Sequence, residues 1–155
     1  MDAGRPSLAA DRVVEMFRRW VLGIIVLGLV GTVTELILLE HYEQPLQFVP
    51  LVLVGLALIA IGWHAMRHDM ASLRALKILM GLFVLAGFVG MAAHFRGSAE
   101  YQLELDPEMS NWDLLLKILH AKAPPLLAPG MMLQLGLLGL AYVYTDARYR
   151  RSDSP

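Results

Sequence analysis

The sequence predicts an all-α integral membrane protein, an antiparallel bundle of four transmembrane helices with both termini in the cytoplasm. Three observations lead there. Four apolar runs, Trp20 to Leu39, Leu46 to Trp63, Ile78 to Ala93 and Pro124 to Tyr144, each approach the length needed to cross a hydrocarbon core roughly 30 Å thick. A chain in lipid must satisfy its backbone hydrogen bonds internally, so such runs cross as helices. Ten of the 13 Lys and Arg residues lie on the N-terminal segment, the second connection and the C-terminal tail, and positively charged segments are retained on the cytoplasmic side. The expected spans are about 20–40, 47–66, 75–94 and 125–145, within one membrane domain covering 1–155, and 95–123 forms an extracytoplasmic loop.

The first span follows Arg18 and Arg19, and no small-residue cleavage site succeeds it, so it reads as an uncleaved anchor. Val13, Met16, Phe17 and Trp20 recur at helical spacing, which extends that helix inward as an amphipathic lead-in. Gly28 and Gly31 in the first span match Gly87 and Gly90 in the third. Glycine lets helices approach closely where lipid supplies no hydrophobic drive to pack. The expectation is that these two spans face each other there. Pro50 and Pro129 align the second span with the fourth and would loosen the start of each helix.

In the outer loop, Tyr101-Gln102-Leu103-Glu104-Leu105-Asp106 alternates apolar with polar residues and reads as an ordered, non-helical segment. Ser110 is placed to cap a short amphipathic helix over about 111–121, with Asp113 in its electropositive first turn. Trp112, Leu115, Leu116 and Leu119 would share one face, lying on the membrane or capping the bundle.

Composition excludes several classes. A formal charge of -1 and short, mixed loops provide no basic surface for nucleic acid. With no cysteine, disulfides, thiolate metal sites and iron–sulfur clusters are ruled out. The phosphate-cradling Gly-Lys-Ser/Thr loop, the His-Glu-x-x-His pair and the Gly-x-Ser-x-Gly elbow are all missing from the sequence.

Polar residues within the spans are the candidates for chemistry. Glu35 and His94 each lie four residues after the second glycine of their span, so both should sit level near the outer surface. A carboxylate in a span marks a pair or a pathway. Together with His41 it could form an outward-facing proton or transition-metal site, or the two could simply fix helix depth at the headgroups. His41 and His94 also leave open a haem held between helices, and a quinone is a further possible guest. Gln134, deepest in the fourth span, suits interhelical hydrogen bonding. His64 and His68, one turn apart, have a spacing that could bind metal but read as a solvated face.

The resulting expectation is a non-enzymatic subunit or scaffold in the bacterial inner membrane. Its partners would be the bilayer and either another membrane protein or further copies of itself. The alternative is a small redox or proton-translocating protein working through Glu35, His94 and His41.

Overall fold

The computed structural model describes residues 8–40, 45–120 and 127–146, and among them every regular element is helical. The elements are α1 (Leu8–Leu38), a single 3₁₀ turn (Pro45–Gln47), α2 (Phe48–Arg67), α3 (Met70–Leu105), α4 (Asn111–Leu119) and α5 (Leu127–Tyr144). Three segments, Ala10–Leu38, Pro45–Arg67 and Met70–Leu105, are long and apolar enough to cross a bilayer. Only 28%, 28% and 22% of their apolar stretches are buried within the protein. Leu27, Ile59, Ile78 and Leu85 instead point outward, as lipid-facing side chains do.

α1 is one continuous helix that includes the expected amphipathic lead-in, and Val13, Met16, Phe17 and Trp20 all stand on its exposed side. Pro50 and Pro129 each occupy the third residue of their helix, where a backbone N–H has no intrahelical acceptor to lose. They start helices without interrupting them.

α2 and α3 are joined by a tight turn at His68 and Asp69. His68 takes a left-handed conformation (φ 50°) and its N–H donates to His64 O, while Asp69 caps α3 by accepting from the Ser72 N–H.

α3 extends well beyond the expected end at 94, which corrects the reading of 95–105 as loop. The residues from Ala99 to Leu105 are mostly strong helix formers, and Arg96 Nε donates to Glu100 Oε1 across one turn at 2.7 Å. The alternation between Tyr101 and Asp106 is therefore superposed on a helix. Pro107 stops it, since the residue before proline avoids the helical region and Asp106 lies at φ -146°, ψ 89°. At 1.5 Å per residue, α3 continues roughly 22 Å beyond Gly90. α4 then packs against this upper part of α3. Its buried residue is Ile118, while Trp112, Leu116 and Leu119 remain exposed.

The main core lies between α3 and α5 and continues to α1 and α2. Val21, Ile25 and Leu29 of α1, Val54 and Ala57 of α2, Leu73, Met80 and Phe83 of α3, and Met132, Leu135 and Val143 of α5 form it. The glycines find a different partner from the expected one. Gly28 packs on Leu135, and Gly87 and Gly90 pack on Pro129 and Leu133, so all three meet α5. A Cβ at Gly87 would lie 2.9 Å from the Leu133 backbone nitrogen, and one at Gly90 would be 3.1 Å from Pro129 Cβ. Gly31 has nothing within 4 Å. α5 supplies its own close approach, because a Cβ at Gly136 would lie 2.8 Å from both Met80 O and Val84 N. Met80–Gly136 and Gly90–Pro129 together set α3 and α5 antiparallel.

Candidate functional site

The residues expected at the outer site lie on separate elements. Glu35 is exposed on α1 and His94 is exposed on α3, and His41 lies outside the described residues. Among the described residues no group of three or more His, Asp or Glu could hold a metal. Gln134 makes no hydrogen bond to another helix among the described residues. It is exposed on α5, in a shallow groove with Gly130, Leu133, Leu137 and Leu138.

Polar side chains converge instead at the basic end, where all four long helices contribute. Arg18 of α1 is buried and donates from Nη2 to Asp146 Oδ2, just past α5, at 2.7 Å. Its guanidinium carbon also lies 4.5 Å from the centre of the Tyr142 ring, an arrangement that attracts the cation to the ring face. Glu15, one turn earlier, offers a second carboxylate at 3.9 Å. Tyr142 in turn meets the edge of the His64 ring, with centroids 6.0 Å apart and planes at 87°.

His64 corrects the solvated reading, for it is 3% exposed. Its Nδ1 is 2.8 Å from Ser72 Oγ, and that hydroxyl donates to Asp69 O at 2.8 Å. With the hydroxyl hydrogen committed there, Oγ accepts, so Nδ1 carries the imidazole hydrogen. His68, its ring centroid 5.5 Å away and tilted by 40°, lies exposed beside it. Asp69 accepts from the Ser72 N–H at 2.8 Å. That backbone bond, followed by the Ser72 hydroxyl, holds the Asp69 carboxyl below the usual carboxylate range. Near the same end, Lys77 Nζ lies 5.3 Å from the Tyr144 ring centre.

Each member of this network has a local reason for its position. Arg18 falls on the same face as Val21, Ile25 and Leu29, so the helix that buries those side chains also turns Arg18 inward. Asp69-x-x-Ser72 is a capping pattern that brings the Ser72 hydroxyl under His64. Asp146 was the legible signal missed in the sequence. It is a lone carboxylate between an apolar span and the basic residues Arg148, Arg150 and Arg151.

Chemically, the cluster is closed. The cation has its anion, the imidazole has its hydroxyl and the hydroxyl has a carbonyl. A buried charge is tolerable only under such pairing. Neither the Gly130–Leu138 groove nor a second groove, lined by Asp11, Arg12, Glu15, Met16 and Arg19, includes Arg18, His64, Ser72 or Asp146. Compared with known proteins, the chain matches no family model, no curated protein and no solved structure.

Proposed function

We propose that the chain is a non-enzymatic subunit or scaffold of a membrane complex, crossing the bilayer four times with both termini in the cytoplasm. The carrying observation is the closure of the Arg18–Asp146 and His64–Ser72 pairs, which spends these four buried polar side chains on joining helices, while the buried Thr32 hydroxyl takes no part. Outward, the helices offer mainly apolar surface, with Leu27, Ile59 and Ile78 among the most exposed. Such surface is used for contact with lipid or with other spans.

Two features support a fourth crossing. α5 has 18 residues, about 27 Å of helix, and it packs along α3 from Pro129 to Gly139. The charge bias supports the orientation, with the Arg18–Asp146 end inward and the α3–α4 projection outward. Bacterial inner membrane remains the compartment that this reading favours. The exposed positions of Glu35 and His94 fit depth-setting at the headgroups.

Gentle extraction from native membranes, with an absorption spectrum, metal analysis and identification of co-extracted polypeptides, tests the reading. A stoichiometric protein partner or a defined oligomer, free of chromophore and metal, is expected. A bound haem, quinone or metal, or proton flux abolished by Glu35→Gln, would overturn it.

A further inference from the structure

The outward face of α5 breaks the apolar pattern of the spans. Gln134 is exposed there, about 10 Å along the helix from Leu127, which places its amide well inside the hydrocarbon if α5 crosses the bilayer. It makes no hydrogen bond among the described residues. Lipid tails offer neither donor nor acceptor, so an amide facing them forfeits the bonds it would make in water. Beside it, Gly130 has nothing within 4 Å of where a Cβ would sit, and Gly130, Leu133, Gln134, Leu137 and Leu138 line a groove of about 350 Å³.

From this we infer that the Gly130–Gln134–Leu137 face of α5 is the contact between two copies of this chain. The inference rests on the four-span reading and names the partner. Copies inserted in one membrane share one orientation, so a twofold axis must run along the bilayer normal and brings equal depths together. Gln134 of one copy therefore meets Gln134 of the other. Each amide carries a donor and an acceptor, and two related by that axis satisfy each other. A different partner would have to provide a polar group at that same depth, whereas a second copy does so automatically. Gly130 and the exposed Ala141 leave room for the backbones to approach on either side of the amide pair.

The chain contains no cysteine, so a single introduced thiol reports one position. Leu137→Cys, oxidised in native membranes, should produce a disulfide-linked species of twice the 17.2 kDa monomer mass. Ile59→Cys, on the exposed side of α2, should not. Gln134→Leu introduced beside Leu137→Cys should weaken association at least about threefold, with the monomer's thermal midpoint unchanged. No homodimer band, equal yields from Ile59→Cys, or indifference to Gln134→Leu would overturn the inference. Linkage of Leu137→Cys to a different polypeptide would also overturn it, while leaving the subunit reading standing. If the thiol at 137 reacts freely with a water-soluble maleimide, α5 is not in lipid and both readings fall.

Discussion

Arg18 and Asp146 form a buried ion pair across 128 positions of sequence, tying the first long helix to the end of the last. Their side chains are 8% and 6% exposed, so little water remains to take over from a missing partner. Asp146→Leu or Arg18→Met alone should cost about 3–5 kcal/mol by breaking the buried pair. The double variant Arg18→Met with Asp146→Leu should recover most of that loss. Thermal unfolding in detergent for the two singles and the double checks this, and equal losses in all three would contradict it.

His64 and Ser72 couple in the same way on a smaller scale. Ser72→Ala leaves a buried imidazole N–H unsatisfied and should cost about 1–3 kcal/mol. Adding His64→Phe should not increase the loss by its full separate cost. Nitrogen chemical shifts of His64 should report hydrogen on Nδ1, and hydrogen on Nε2 alone would break the assigned chain of donation.

The glycines divide by what surrounds them. Gly136→Ala drives a Cβ into the backbone at Met80 and Val84 and should destabilise by about 1–3 kcal/mol. Gly55→Ala, with nothing within 4 Å, should be neutral or stabilising by up to about 1 kcal/mol through helix propensity. Thermal midpoints of the two variants, which should move in opposite directions or differ sharply, decide this.

The Asp69 cap carries a pH signature. Its carboxyl sits below the usual carboxylate range because the Ser72 N–H bonds to its charged form. Its stabilising contribution is thus fully present above about pH 4 and fades as pH falls through the lowered value. Asp69→Ala should reduce the thermal midpoint at neutral pH by about 2–4 °C. At pH 3 the difference between variant and wild type should narrow.

What could be read in the sequence was what local chemistry decides. The apolar runs mark the long helices. Ser110 is recognisable as a cap because its partner is three residues away, and its hydroxyl does accept from the Asp113 N–H at 3.2 Å. The end of α3 was misjudged where a two-residue alternation competed with helix propensity, and propensity won until Pro107. Gly28, Gly87 and Gly90 were recognisable as contact positions, but the identity of the facing helix is a tertiary fact, and α5 takes that place. His64 resembled a solvated histidine because Ser72 and Tyr142 reach it from other helices. Glu35 and His94 are exposed on α1 and α3, and an alignment of spans fixes their depth without fixing which way each helix turns them.

The bond between Arg18 and Asp146 also has a consequence in time. Synthesis runs from the amino end, so Arg18 enters its surroundings more than a hundred residues before its counter-ion has been made. Until Asp146 is made, the carboxylate that Arg18 has nearby is that of Glu15, one turn earlier on the same helix. A chain cut short before Asp146 would keep Arg18 without that carboxylate and should be less stable for it.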